Sequence, residues 1–167
     1  ATQPIFLCVD DTMVAKAGTR FENVSKLFDH AAHNGSNYLN GHCFVSIMLC
    51  IPVWKNDRVS YLSLPLGYRM WQKKESKLEL AASMIRQVMP EFQEKKQVII
   101  LCDSWYTKRN LVSIVDEYLN LDLIGNARID SVMYDPAPAH TGRRGRPAKH
   151  GKRLSVETDF SFQSIFY

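Results

Sequence analysis

The sequence lacks any apolar run near the roughly 18 residues that a membrane-spanning helix requires. Its N-terminus lacks the basic start and cleavage pattern of a signal peptide. No internal repeat or low-complexity segment is visible. Cysteine is sparse: the chain has four, and none stands at CxxC spacing. Cys8, Cys43, Cys50 and Cys102 all fall inside apolar runs, and they read as buried free thiols of a reducing compartment. His30 and His33 lie near Asp29 at a loose metal-like spacing. No further Cys or His completes a zinc set around them, so they read as ordinary loop histidines. The chain starts without Met and ends on Phe166-Tyr167, as a piece of a longer protein would.

What is present is globular. The 167 residues are 46% hydrophobic, enough for one domain with a real core and too apolar for disorder by default. The net charge of +4 is unevenly spread. Residues 141–153 hold Arg143, Arg144, Arg146, Lys149, Lys152 and Arg153 with no acid, six of the chain's 21 basic residues. The other 15 face 17 acids, so the basic character is local and points to a polyanion at one place.

Two stretches share one pattern. Ile5-Phe6-Leu7-Cys8-Val9 runs into Asp10-Asp11-Thr12, and Val98-Ile99-Ile100-Leu101-Cys102 runs into Asp103-Ser104. Continuous apolar runs of this length read as strands buried on both faces. An acid at the end of such a strand is costly unless a cation or hydrogen bonds compensate. If the two strands are parallel neighbours, spaced by about 4.8 Å, their acids meet at one end of the sheet and reach one divalent metal.

The intervening chain fits a sheet covered by helices. Residues 43–53 and 59–66 read as a β-hairpin turning at Lys55-Asn56-Asp57-Arg58. Glu22 to Ala32 is read as a short helix with Val24, Leu27, Phe28 and Ala31 on one side. Ser76-Lys77-Leu78-Glu79 is a capping box, followed by helical spacing through Met89 and stopped at Pro90. Thr107 is placed to cap a further helix with Leu111, Ile114, Val115, Tyr118 and Leu119 on its stripe. Leu121 to Gly125 closes as a strand. The order strand-strand-strand-helix-strand-helix-strand predicts an α/β fold with a mixed five-stranded sheet, its crossover right-handed. The expected divisions are a core over 1–135, a basic Pro/Gly/Arg-rich loop over 136–153, and the start of a further strand or insertion over 154–167.

This order, with Val9-Asp10-Asp11-Thr12, Lys16-Ala17-Gly18, Gly41-His42, Cys102-Asp103-Ser104-Trp105-Tyr106 and Gly142-Arg143-Arg144-Gly145-Arg146-Pro147, resembles the DDE transposases of bacterial insertion sequences. The resemblance implies a ribonuclease H-like catalytic core for DNA cleavage and strand transfer. It implies two Mg²⁺ or Mn²⁺ ions, transposon-end and target DNA as partners, a homodimer in the full-length protein, and a bacterial cytoplasmic, nucleoid-associated setting. Through the Asp-x-Thr pattern the family's first acid maps onto Asp10, and the second onto Asp103. Asp11 is the rival of Asp10. Adjacent strand residues point to opposite faces, so one of the pair faces the metal. The family's third acid, a Glu in a Tyr-x-x-Arg-x-x-x-Glu helix, has no counterpart after Ser104. Glu117 comes too early in the order and Glu157 sits in a strand-like stretch, so the fragment alone is expected to be inactive.

Carboxylates suit this chemistry because Mg²⁺ prefers hard oxygen ligands. Arg144-Gly145-Arg146-Pro147 has the form of an AT-hook core, and phosphate contact by the six basic residues is the favoured reading. Trp105 and Tyr106 could stack on a base, but core packing is favoured. Lys16 is either a phosphate contact or a solvated lysine, and His42 is most simply a strand-start residue. Two other functions share these features: a ribonuclease H-like nuclease for hybrid or branched substrates, and a non-catalytic DNA-binding module.

Overall fold

The computed structural model describes residues 3–18, 20–28, 37–92, 96–128, 130–139, 142, 145–155 and 157–160. The chain forms two compact units, Ala1–Asn126 and Ala127–Tyr167. The first holds strands β1 (Ile5–Ala15), β2 (Ser25–Phe28), β3 (Tyr38–Lys55), β4 (Arg58–Met70), β5 (Val98–Cys102) and β6 (Leu121–Gly125). Its helices are α1 (Lys77–Val88), extended by a 3-10 turn over Met89–Glu91, and α2 (Arg109–Val112), extended by a 3-10 turn over Ser113–Glu117. The second unit contains a two-stranded antiparallel ribbon of β7 (Met133–Tyr134) and β8 (Arg153–Leu154).

The six strands form one mixed sheet. β3 runs antiparallel to β1 on one side, and on its other side pairs with both β4 and β2. β1, β5 and β6 are parallel. The β3–β4 hairpin turns through Asn56 and Asp57, both at positive φ, which is the backbone twist that a two-residue turn between twisted strands needs. A bulge between Ile47 and Met48 leaves Leu66 of β4 without a partner.

Side chains alternate along β1. Ile5, Leu7 and Val9 are buried, with Val45 and Ile47 of β3 and Val98 and Ile100 of β5 in the same core. α1 covers this face with Leu78, Ala81, Ala82 and Ile85, and Leu111 and Ile114 join it. The capping box is present: Ser76 Oγ accepts from the Glu79 N–H, and Glu79 Oε2 accepts from the Ser76 N–H.

Three expectations are corrected. The sheet has six strands rather than five, because residues 25–28 extend as β2 instead of coiling into the helix expected over Glu22–Ala32. β4 leaves β3 at Phe44, and β2 takes up the backbone groups of Tyr38–Gly41 beyond that point. The tail of that expected helix lies outside the described residues. The hairpin strands run further than the apolar runs did, to Tyr38 and Met70. The helix after β5 is four residues long and continues as 3-10. The three-residue step from Leu111 to Ile114 suits that tighter coil, and β-branched Val112, Ile114 and Val115 weaken an α-helix. Leu119 is fully exposed instead of lying on the buried stripe.

Candidate active site

The apolar first half of β1 drives it into the middle of the sheet, and Asp10 follows that half within the strand, which runs on to Ala15 beside β3. β5 lies alongside in parallel register, with Val9 opposite Cys102 as the last pair. Asp10 and Asp103 each follow that last pair directly, Asp10 still within β1 and Asp103 beyond the end of β5. Along β1, Ile5, Leu7 and Val9 face the core under α1, so by strand alternation Asp11 belongs to that face and Asp10 to the other.

Asp103 opens a turn. Its Oδ1 accepts the backbone N–H groups of Trp105 at 3.0 Å and Tyr106 at 3.2 Å. Such a side chain replaces a backbone acceptor and fixes the turn locally. Thr107 was expected to cap a helix, yet its hydroxyl donates to the carbonyls of Ser104 at 3.0 Å and Asn126 at 2.8 Å. Lys108 takes the cap position, without a side-chain cap bond. Gly125 at the end of β6 permits this close approach: a Cβ there would run into Thr107 Cγ2.

Asp11 is enclosed. Both its oxygens accept from Lys77 Nζ at 2.9 Å, Oδ1 accepts the Tyr106 hydroxyl at 3.0 Å, and Oδ2 accepts the Cys43 thiol at 3.3 Å. Burial first, then the nearby Asp11 charge and hydrogen bond, push the Tyr106 phenol far above its ordinary value. The same causes push the Cys43 thiol up to about 12. Both therefore stay protonated and act as donors to the carboxylate.

Asp10 stands differently. It is exposed, and its Oδ1 accepts the Asp11 N–H at 2.8 Å. Among the described residues no cation pairs with Asp10 or Asp103; the ion pairs there are Lys77–Asp11, Arg86–Glu117, Arg128–Asp130 and Lys152–Asp159. Two carboxylates without a cation partner, Asp10 within β1 and Asp103 just after β5, are hard oxygen donors of the kind that suits Mg²⁺ or Mn²⁺. Among the described residues no group of three or more His, Cys, Asp or Glu is arranged to hold an ion. The donors present fit part of a metal site.

Glu117 is taken up elsewhere. Arg86 holds it at 2.6 and 2.8 Å, nine residues along α1 from Lys77, or about 13 Å at the helical rise. Tyr106 is buried, as expected from core packing, with Trp105 partly buried against the same core. Lys77 and Lys108 lie over the Trp105 ring at 4.2 and 4.4 Å. Lys16 Nζ lies 5.4 Å from the Phe21 ring, and His42 Nε2 is 2.8 Å from the Glu22 carbonyl.

Of the basic cluster, Arg143 and Arg144 lie outside the described residues, as do His30 and His33. Arg146 and Lys149 are exposed in irregular chain, and Arg153 begins β8. Lys152 is paired with Asp159 at 2.9 Å. The acid-free window hid this partner, six residues beyond its end.

Lys77 was missed as a site neighbour. One signal was available: a lysine in the first helical turn opposes the helix dipole, and an anion beyond the helix start compensates it.

A mixed sheet with few helices makes this an α/β domain, consistent with a nuclease fold. The chain belongs to the DDE superfamily endonucleases, whose family profile matches residues 1–161. No curated protein and no solved structure matches it. That membership carries nuclease-type function, a DNA substrate and the divalent-metal use general to the superfamily. No helix among the described residues is long and apolar enough to cross a membrane.

Proposed function

We propose that this chain is the catalytic core of a DNA transposase, cleaving and joining DNA strands with Asp10 and Asp103 as metal ligands. The observation that carries the reading is the parallel register ending at Val9 and Cys102, which favours Asp10 over Asp11 as the partner of Asp103. The bonds that enclose Asp11 support the same choice, since a carboxylate held by Lys77, Tyr106 and Cys43 has little left to offer a cation. The path β4–β3–β1–β5–β6, antiparallel then parallel, agrees with a ribonuclease H-like order, with β2 as an addition at its edge.

When bound, a pair of divalent ions lowers the pKa of the attacking water and stabilises the leaving oxygen of the phosphodiester. Asp10 and Asp103 would supply ligand oxygens, and no histidine base is required. A third acid completes the set in the reading adopted here, and two copies would act on two DNA ends. Arg143, Arg144, Arg146, Lys149 and Arg153 would contact DNA phosphates, with Lys152 held partly by Asp159.

Titration of Mn²⁺ into wild type, Asp10→Asn, Asp11→Asn and Asp103→Asn tests the assignment. The first and last variants should bind clearly more weakly than wild type, and Asp11→Asn should stay nearer to it. Equal binding by all four proteins would remove the metal site. With two ligands, the chain should nick supercoiled plasmid only feebly; vigorous Mg²⁺-dependent nicking would contradict the need for a third acid.

A further inference from the structure

We infer that Tyr106 is a positioning residue that sets the spacing of Asp10 and Asp103. This rests on the proposed reading of those two acids as metal ligands. The β1–β5 ladder stops at Val9 and Cys102, so pairing with β3 holds Asp10 but no pairing between β1 and β5 ties it to Asp103. Tyr106 spans that gap with two different groups. Its backbone N–H donates to Asp103 Oδ1 at 3.2 Å, and its phenol donates to Asp11 Oδ1 at 3.0 Å. Asp11 is bonded covalently to Asp10, and its own N–H donates to Asp10 Oδ1 at 2.8 Å. One residue thus reaches the first acid through Asp11 and the second directly.

The anchor is rigid at both ends. The Tyr106 ring is 1% exposed within the core shared by Leu111 and Ile114, so it has no room to swing. Asp11 is also held by Lys77, at both oxygens, and by Cys43. Removing the hydroxyl leaves the ring packed and the three bonds from Lys77 and Cys43 to Asp11 in place. What it takes away is the link between β1 and the turn after β5. Partners bonded directly to metal ligands typically change metal affinity by about 10- to 100-fold when lost, and the Tyr106 phenol acts one residue further out, through Asp11, so the lower end applies.

The test compares Mn²⁺ affinity, read from the free-ion electron paramagnetic resonance signal, with thermal unfolding. Tyr106→Phe should bind Mn²⁺ about tenfold more weakly than wild type. Leu111→Val, which loosens the same core without touching either acid, should melt earlier and bind Mn²⁺ as wild type does. Backbone amide exchange of residues 103–106 in the metal-free chain should quicken in Tyr106→Phe, a second reading that needs no metal. Wild-type affinity and unchanged exchange in Tyr106→Phe, alongside weakened binding in Asp103→Asn, would overturn the inference alone. Equal loss of affinity in Leu111→Val would also overturn it, by reducing Tyr106 to a core residue. Unchanged binding in both Asp10→Asn and Asp103→Asn would instead overturn the underlying reading.

Discussion

Lys77 Nζ lies 2.9 Å from both carboxylate oxygens of Asp11, joining the first turn of α1 to β1 across 66 residues of sequence. Their side chains are 17% and 14% exposed, so water screens the pair only weakly. Removing one member of such a pair strands the other. Lys77→Met should lower the unfolding free energy by about 3 kcal/mol, measured by urea denaturation. Lys77→Met combined with Asp11→Asn should recover much of that loss, because no uncompensated charge remains. A double variant as unstable as Lys77→Met would show that the pair itself contributes net stability.

The capping box gives a smaller and more local effect. Ser76→Ala removes the acceptor of the Glu79 N–H and should cost about 1 kcal/mol in the same assay. Glu79→Gln should cost less, since an amide oxygen can still accept from the Ser76 N–H.

Acid should destabilise the chain from one direction. Hydrogen bonds from Ser76 hold the Glu79 carboxyl below its ordinary 4.5, and the Arg86 hydrogen bond does the same for Glu117. A depressed folded value means the contribution is complete above 4.5 and is lost as pH falls through the folded value. Thermal midpoints should therefore change little between neutral pH and about 5.5, then fall below about 4.5. Both groups are fully exposed, so the drop should be shallow and weaker in high salt. A rise in midpoint on acidification would contradict these assignments.

The thiols should be slow to react. Burial chiefly pushes Cys43 up to about 12, and burial together with Cys50 pushes Cys8 up to about 11. At pH 8 the Cys43 thiolate is then about one part in 10⁴ of the total. Ellman's reagent should label the native chain far more slowly than the urea-unfolded chain. Comparable rates would mean that Cys43 does not donate to Asp11.

For the basic segment the expected readout is salt dependence. Binding of duplex DNA should weaken steeply with salt, and Arg146→Ala should reduce the log–log slope by about 0.9. Lys152→Ala should change it less, because that ammonium already pairs with Asp159. A slope equal to wild type in Arg146→Ala would take this residue out of the interface.

Much of this molecule follows from local sequence. Apolar runs ahead of acids made β1 and β5 legible, although only alternate residues of β1, Ile5, Leu7 and Val9, are buried. Ser76-Lys77-Leu78-Glu79 announced α1, because a capping box is satisfied within four residues. The Asp-x-Thr and Cys-Asp-Ser-Trp-Tyr pieces carried the family resemblance. β2 was not legible: four residues carry too little periodicity, and β2 extends because β3 offers it an unpaired edge. The short coil after Thr107 was also obscured, since its hydroxyl is claimed by carbonyls of Ser104 and Asn126, the second 19 residues away.

Pairing with β3 carries β1 on past Asp10 and Asp11 to Ala15, whereas the sequence by itself determined that an acid follows β5 and that basic charge is concentrated late in the chain. Those properties depend on residue type and order alone. Only the tertiary structure separated Asp10 from Asp11. The two neighbours have the same chemistry, and what distinguishes them is that the sheet's pleat turns Asp11 toward Lys77, Tyr106 and Cys43 and leaves Asp10 exposed on the opposite face. The groups that enclose Asp11 come from α1, β3 and the turn after β5, and long-range packing alone brings them to one carboxylate.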